Sequence, residues 1–179
     1  SEILKYGAIE RTDIFDRASF FLEDDISNIS DEKLIGLIAD CIQIKADIVE
    51  KDEFEGNIRA FLNFGHTFAH ALEKACGYQS ISHGEAVYLG MLAAVDLSNQ
   101  VGANLKPDKL LKYRSLYSYR VSKDQLSLDD LMNHMKFDKK RTNQHIRFVL
   151  LKEWQSPILK EVASEKLIHQ AWQTALQEI

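Results

Sequence analysis

The stretch of sequence that decides the fold covers residues 63–90 and reads NFGHTFAHALEKACGYQSISHGEAVYLG. It holds three of the chain's six histidines. His66 and His70 are one helical turn apart, so a helix would turn both imidazoles toward one side, as a metal-chelating pair requires. His83 follows a break in the helical pattern. The stretch predicts either a metal site or histidines that have no common task.

Two helices are predicted around these histidines. The segment 57–77 has a helical pattern and ends at Gly77, a residue suited to the left-handed position after a helix. The next helix begins with a capping-box pattern, in which Ser82 is followed three residues later by Glu85. If this second helix folds back against the first, His83 at its start approaches the other two histidines.

The rest of the chain is also mainly helical in pattern. Ser30 precedes an acidic first turn, which suits the start of a helix. Pro107 fits the first turn of another helix, and segments 127–136 and 163–177 are shorter amphipathic candidates. The helix after Ser30 has one wide apolar face at helical spacing, made by Leu34, Ile35, Leu37, Ile38, Cys41, Ile42, Ile44, Ile48 and Val49.

One segment has the pattern of a β-strand. It is HIRFVLL, residues 145–151, and ILKEVA follows after a short connection, so a hairpin near 145–162 is predicted. No glycine-rich turn joins a strand to a helix, so a nucleotide-binding βαβ unit is not expected. The predicted fold class is mainly α: one multi-helix domain over residues 1–179 with a short hairpin.

The composition excludes several classes of protein. The 179 residues carry 22 Lys and Arg against 27 Asp and Glu, a formal net charge of −5, which does not predict a nucleic-acid-binding surface. No apolar run approaches the roughly 20 residues of a membrane span. Cys41 and Cys76 form neither a metal motif nor a disulfide framework, which is typical of reduced thiols in a cytoplasmic protein.

The third ligand of a metal site is left open by spacing. Catalytic Zn²⁺ has three protein ligands and one open position, and the third ligand is often a carboxylate. Glu73 and Glu85 are close to the histidines in sequence, whereas Glu2, Glu53 and Glu55 are farther away.

Cationic side chains form a second candidate cluster: Lys5, Lys45, Arg59, Lys139, Lys140 and Arg141. Lys45 lies close to the apolar face of its helix, where a charge needs a partner. Arg59 comes four residues after Glu55 and seven before His66, so near-helical geometry would place all three on one side. A cationic pocket beside a metal would suit an anionic, oxygen-rich substrate.

Four short motifs follow one another in register along the chain: SEILKYGAI (1–9), IKADIVEKDEFEGNIRAFLNFGHTFAHALE (44–73), HGEAVYLGM (83–91) and FDKKRTNQHIRFVLL (137–151). Together they resemble the C-terminal domain of the 3-dehydroquinate synthase family over nearly the whole chain. One departure is Ala69, where family members commonly have a second glycine in GHTFGH.

The resemblance implies a ligand set and a set of substrate contacts. In this family one glutamate and two histidines hold a divalent metal, and the matching residues are Glu2, His66 and His83. His70 then becomes a substrate contact instead of a ligand. Substrate or catalytic roles are likewise implied for Lys5, Lys45, Glu55, Arg59 and Asn63, and for the lysines of the DKK motif, Lys139 and Lys140.

The activity implied by the resemblance is that of a phosphate-eliminating lyase of the shikimate pathway, in aromatic amino acid biosynthesis. It converts 3-deoxy-D-arabino-heptulosonate 7-phosphate to 3-dehydroquinate and phosphate, with Zn²⁺ or Co²⁺ and NAD⁺. Family members bind NAD⁺ mainly in an N-terminal Rossmann-like domain that precedes the metal glutamate. That glutamate is residue 2 here, so we expect this domain to be absent and the 179 residues alone to be inactive. Full-length family members are expected to be homodimers.

Other functions remain open. Another sugar-phosphate cyclase, making a valiolone or an inosose, would share these motifs, although Asn63, His70 and the DKK lysines look like the dehydroquinate synthase set. Iron-dependent alcohol dehydrogenases usually use an aspartate and three histidines, so Glu2 as a ligand argues against them. A non-catalytic helical interaction domain would give the histidines no common task.

Overall fold

The computed structural model describes residues 1–23, 28–54, 58–137 and 146–179. In these ranges the chain is mainly helical and its two strands form one antiparallel hairpin, so the predicted fold class is confirmed. In chain order the α-helices are α1 (Glu2–Ile9), α2 (Asp13–Arg17), α3 (Phe20–Glu23), α4 (Asp31–Lys51), α5 (His66–Ala75), α6 (His83–Gln100), α7 (Asp108–Leu111), α8 (Leu128–Phe137) and α9 (Glu165–Ala175). The strands are β1 (Arg147–Leu151) and β2 (Pro157–Glu161), and 3₁₀-helices cover Arg59–Asn63, Arg114–Leu116, Lys123–Gln125 and Leu176–Glu178.

Helix α6 lies at the centre of the hydrophobic core. Its predicted capping box is present, because the side chains of Ser82 and Glu85 each accept a hydrogen bond from the other residue's amide. Every residue from Ala86 to Val95 is buried, and α5, α9 and β1 pack around this segment. Even so, no helix within the described ranges is both long enough and apolar enough to cross a membrane.

Helices α5 and α6 are in backbone contact at one crossing. A Cβ atom placed at Gly90 of α6 would overlap the carbonyl oxygen of Gly65 and lie 3.0 Å from the amide nitrogen of Ala69. Only glycine at position 90 allows the two backbones to approach this closely. Ala69 is itself fully buried, so the fold accommodates one methyl group at this departure from the family pattern.

The segment 57–77, predicted to be helical, consists of two helical pieces in its described part. The described part begins with the 3₁₀-helix Arg59–Asn63, and α5 starts only at His66. Gly65 separates them because its φ of +81° is incompatible with a continuous right-handed helix. The predicted end of the segment is correct, since Gly77 follows α5 with a φ of +60°.

The hairpin joins the first helix to the core. Strands β1 and β2 pair in the register that places Leu151 opposite Pro157. Between them, Gln155 donates from its amide to the carbonyl oxygen of Ala8 at 2.8 Å and from its side chain to that of Gly7 at 2.6 Å. These bonds fix α1 against the hairpin.

Helix α4 buries only part of its predicted apolar face. The buried residues are Leu37, Cys41, Ile44 and Ile48. Ile35 and Ile42 are each 64% exposed, and Ile38 is 43% exposed. Among the described residues, α4 packs mainly against α1 and the 3₁₀-helix Arg59–Asn63, and these three isoleucines form a separate exposed stripe on it. The wide apolar face at helical spacing is therefore only partly buried.

Candidate metal centre

Three potential metal ligands from three different helices converge at one point. Glu2 is the first residue of α1, His66 of α5 and His83 of α6. Their candidate ligand atoms all lie within 4.8 Å of one another, which is close enough for one metal ion. The packing of α1, α5 and α6 brings together residues that are far apart in the sequence.

The orientation of His66 is set by its local backbone. Its side chain is only 12% exposed, and Nδ1 lies 3.2 Å from the carbonyl oxygen of Phe64. A carbonyl oxygen only accepts, so Nδ1 carries the proton and Nε2 has the free lone pair. Nε2 lies 3.6 Å from Oε1 of Glu2 and therefore faces another candidate ligand.

The carboxylate of Glu2 is held by a lysine one turn later. Nζ of Lys5 donates to Oε2 of Glu2 at 2.7 Å, while Oε1 faces His66. Lys5 is buried, whereas the Glu2 side chain is 47% exposed. One carboxylate oxygen is thus anchored and the other is directed toward the histidines.

The protonation of these groups suits metal binding. Burial works against ionisation of Glu2, but the hydrogen bond and charge of Lys5 outweigh it, so the pKa of Glu2 is lowered. For His66, burial itself lowers the pKa, although the hydrogen bond with the carbonyl of Phe64 opposes that change. A lower pKa favours the anionic carboxylate in one case and the neutral imidazole in the other, which are the forms that bind metals.

The donor set fits a divalent ion such as Zn²⁺. One carboxylate oxygen and two imidazole nitrogens form a three-ligand shell with one position open, as in catalytic zinc sites. The Nδ1 atom of each histidine also has an acceptor nearby, the carbonyl of Phe64 for His66 and the carboxylate of Glu73 for His83. Metal-bound histidines typically have such a second partner.

A cationic cavity of about 310 Å³ adjoins the centre. It is lined by Glu2, Lys5, Tyr6, Lys45, Val49, Arg59, Leu62, Asn63 and His66. Three cationic side chains face one carboxylate here, so the cavity is suited to an anionic ligand.

The predicted site residues do not all appear in this arrangement. Glu55, Lys139 and Lys140 lie outside the described residues. The ring of His70 is 5.8 Å from that of His66, but within the described ranges the group with metal-ligand spacing includes His83 and Glu2 instead. The simple chelating pair at i and i+4 is therefore not the cluster that the fold assembles.

One expectation about the cationic residues was wrong, and another holds for a different structural reason. Lys45 is exposed on the surface of α4, so burial does not force a partner on it. Arg59 does not share a helix with His66, because the chain is interrupted at Gly65. Arg59 nevertheless lines the same cavity as His66, as expected, whereas Glu55 lies outside the described residues. The backbone amide of Arg59 donates to Oδ2 of Asp52 at 3.0 Å.

Sequence reasoning missed three residues that line the cavity, Tyr6, Val49 and Leu62, and it left the role of Glu73 open. Tyr6 lines the cavity, but no pattern in the sequence distinguishes it from a core aromatic residue. Glu73 was one of several possible ligands by spacing. It contacts a histidine instead: its Oε1 lies 2.9 Å from Nδ1 of His83.

Comparison with known sequences identifies the family. The family model described as 3-dehydroquinate synthase C-terminal matches residues 1–141, which include all three residues of the candidate centre. The chain belongs to this family. Among curated 3-dehydroquinate synthases, one from Bacillus cereus (strain ZK) is 39% identical and one from Bacillus cereus (strain AH820) 38% identical, each over 158 residues. These matches cover 86% of this chain, which spans 43% of the length of each relative.

Solved structures share the fold of this 3-dehydroquinate synthase C-terminal domain. A 2-epi-5-epi-valiolone synthase from Streptomyces hygroscopicus subsp. jinggangensis 5008, with NAD⁺ and Zn²⁺ bound, superposes with a TM-score of 0.79 at 18% identity. A 2-deoxy-scyllo-inosose synthase complexed with carbaglucose-6-phosphate, NAD⁺ and Co²⁺ gives 0.69 at 20% identity. Each match covers 99% of this chain and 50% of the other.

Proposed function

We propose that the chain is the metal- and substrate-binding part of a 3-dehydroquinate synthase. The whole enzyme would convert 3-deoxy-D-arabino-heptulosonate 7-phosphate to 3-dehydroquinate and phosphate, with Zn²⁺ or Co²⁺ and NAD⁺ as cofactors. We place this reaction in the cytoplasm, as part of aromatic amino acid biosynthesis by the shikimate pathway, and expect the full-length protein to be a homodimer.

The observation that carries the proposal is the candidate metal centre beside a cationic cavity. Glu2, His66 and His83 have their ligand atoms within 4.8 Å of one another, and His66 and Glu2 also line the cavity. A metal site open to a positively charged cavity suits a substrate that combines hydroxyl groups with a carboxylate and a phosphate.

The protein residues would bind and orient the substrate. When bound by Glu2, His66 and His83, the ion would supply Lewis-acid polarisation of a substrate oxygen. Lys45 and Arg59 would bind substrate anions from the wall of the cavity. Holding a flexible, hydroxylated molecule in one reactive pose lowers the entropic part of the barrier.

The remaining site residues have smaller proposed roles. Lys5 would keep the Glu2 carboxylate oriented through its 2.7 Å hydrogen bond. Asn63 lines the cavity and His70 stands next to His66, so both are proposed to bind substrate hydroxyl groups. Glu55, Lys139 and Lys140 are proposed as further contacts from the family motifs alone.

We propose that NAD⁺ binds mainly in an N-terminal Rossmann-like domain of the whole enzyme. This agrees with the chain spanning 43% of the length of its curated relatives. The 179 residues by themselves would then bind metal without turning over substrate. Measurable cyclisation by this chain with added metal, NAD⁺ and substrate would contradict that expectation.

Metal content of the purified chain tests the ligand set. After loading with Zn²⁺ and desalting, we expect about one zinc per chain in the wild type and none in His66→Ala or His83→Ala. His70→Ala is the matched control, because His70 lies next to His66 but outside the ligand group, and it should retain the metal. Loss of zinc in His70→Ala with retention in His83→Ala would overturn the assignment.

The choice of substrate needs a protein that includes the rest of the enzyme. Phosphate release should then be fastest with 3-deoxy-D-arabino-heptulosonate 7-phosphate. The two curated relatives from Bacillus cereus, at 39% and 38% identity, are both named 3-dehydroquinate synthase, which supports this choice. A clear preference for sedoheptulose 7-phosphate or glucose 6-phosphate would favour another sugar-phosphate cyclase.

A further inference from the structure

Glu73 is a carboxylate in the interior for which the proposed function has no role. It lies on α5, seven residues after His66, and is only 9% exposed. A buried carboxylate is costly unless it is hydrogen-bonded. Oε1 of Glu73 is 2.9 Å from Nδ1 of His83, the first residue of the next helix.

The backbone of Glu73 is fixed by the end of α5. The amide of Tyr78 donates to the carbonyl oxygen of Glu73 at 2.9 Å, and the amide of Gly77 donates to that of Lys74 at 3.1 Å. These two bonds form a Schellman motif around the left-handed Gly77. The carboxylate of Glu73 therefore extends from a well-defined helix end toward the start of α6.

The contact with Glu73 decides which nitrogen of His83 carries the proton and which has a lone pair for a metal ion. A carboxylate accepts hydrogen bonds, so the Nδ1 atom that faces Glu73 is the protonated one. In the neutral ring the lone pair is then on Nε2. His66 has the same arrangement, because its Nδ1 faces the carbonyl of Phe64 and its Nε2 faces Glu2.

The two histidines differ in how strongly the surrounding protein restrains them. The side chain of His66 is 12% exposed, whereas that of His83 is 52% exposed. An exposed side chain keeps several rotamers, and ordering it on metal binding has an entropic cost. The ring of His83 lies 5.5 Å from that of His66, and the hydrogen bond to Glu73 is the directional contact that can hold it in one orientation before the metal arrives.

We propose that Glu73 is the positioning residue of the metal centre: its hydrogen bond with Nδ1 of His83 holds the ring in the tautomer and orientation that present Nε2 to Glu2 and His66. This inference rests on the proposed metal site and extends it to a residue that is not itself a ligand. In metal proteins, loss of such an outer partner typically weakens metal binding by about 10- to 100-fold.

The test measures the dissociation constant for Zn²⁺ by competition with a chromogenic chelator, at a temperature well below unfolding. We expect Glu73→Ala to weaken binding by about 10- to 100-fold, and His83→Ala to weaken it further. Glu73→Gln should fall between the wild type and Glu73→Ala, because its amide oxygen can still accept from Nδ1 without the charge. Asp96→Asn, a partly buried carboxylate elsewhere on α6, is the control and should bind as the wild type does.

Stability and spectroscopy separate positioning from the alternatives. The Co²⁺ absorption spectrum of Glu73→Gln should keep the intensity of the wild type, since no ligand is lost.

A Glu73→Ala variant with a lower Tm but an unchanged dissociation constant would make the contact purely structural and overturn the proposal. A loss of metal as complete as that in His83→Ala would make Glu73 a ligand, which also overturns it. If Glu73→Ala does not fold, a Zn²⁺ dissociation constant of Glu73→Gln equal to that of the wild type overturns the proposal. Failure of the wild type to bind metal would instead refute the proposed function.

Discussion

The helix pair α5–α6 and the helix α4 serve the same candidate site but are packed in opposite ways. At the α5–α6 crossing, a side chain on Gly90 would overlap the backbone of Gly65. On α4, by contrast, Ile35 and Ile42 are each 64% exposed. The close pair supplies the two histidines, and the open helix supplies Lys45. Metal ligands need fixed positions, whereas a residue that meets an incoming substrate needs access from solvent.

The largest expected effect is a difference in the free energy of unfolding between substitutions on the buried and exposed sides of α4. Ile44 is 5% exposed and Ile42, two residues earlier, is 64% exposed. Ile44→Ala should lower the free energy of unfolding by about 2–5 kcal/mol, because it leaves a cavity in the core. Ile42→Ala should change it by less than about 0.5 kcal/mol, as is usual for surface positions. Urea denaturation of both variants measures the difference, and equal losses would mean that the stripe of Ile35, Ile38 and Ile42 is covered in solution.

The next effect tests the close contact between α5 and α6. Gly90→Ala should destabilise the chain by about 1–3 kcal/mol, because its methyl group must push the two backbones apart. The same displacement should weaken Zn²⁺ binding, since His66 and His83 begin these two helices. Urea denaturation and chelator competition measure the two effects.

Gly36→Ala provides the matched control for this substitution. Gly36 lies inside α4, and the nearest atom to an added methyl group would be the Arg17 guanidinium at 3.8 Å. Alanine there should be neutral or stabilising by about 0.5–1 kcal/mol, because glycine is unfavourable within helices. A Gly90→Ala variant as stable as Gly36→Ala would show that the crossing of α5 and α6 has room for a methyl group at position 90.

The smallest effect concerns the cationic wall of the cavity. Lys45→Ala should leave stability and Zn²⁺ binding unchanged, because Lys45 is exposed and is not in the ligand group. Binding of 3-deoxy-D-arabino-heptulosonate 7-phosphate to the zinc-loaded chain should weaken by about tenfold, or about 1.4 kcal/mol. Isothermal titration calorimetry measures this, with Lys51→Ala on the same helix as control. An equal loss in Lys51→Ala would mean that only the overall charge matters.

The sequence predicted local features of the fold better than features that depend on contacts between distant segments. Ser82 and Glu85 form their capping box, Gly77 takes the left-handed conformation, and the strand pattern after residue 145 becomes β1. Each of these depends on a few neighbouring residues. The helical pattern over 57–77 did not reveal the interruption at Gly65, where the chain takes a left-handed conformation and a Cβ atom would come within 2.8 Å of Met91.

In the candidate site, too, local sequence patterns predicted some features, whereas others depended on tertiary contacts. Histidine spacing alone suggested His66 with His70, the predicted return of a second helix added His83, and five glutamates remained possible third ligands. The resemblance to the 3-dehydroquinate synthase family narrowed these to Glu2, and the structure places Glu2 beside His66 and His83. Glu73 could not be told from the other candidates in the sequence, since its contact with His83 depends on how α6 returns past α5.

The sequence by itself determined the mainly helical fold class, several helix ends and the membership of this family, because hydrophobic periodicity, capping residues and short motifs are properties of neighbouring residues. Only the tertiary structure decided which side of α4 is buried, which carboxylates approach the histidines and where the cavity lies. These features depend on contacts between segments far apart in the chain, and their distances are set by how closely the helices pack.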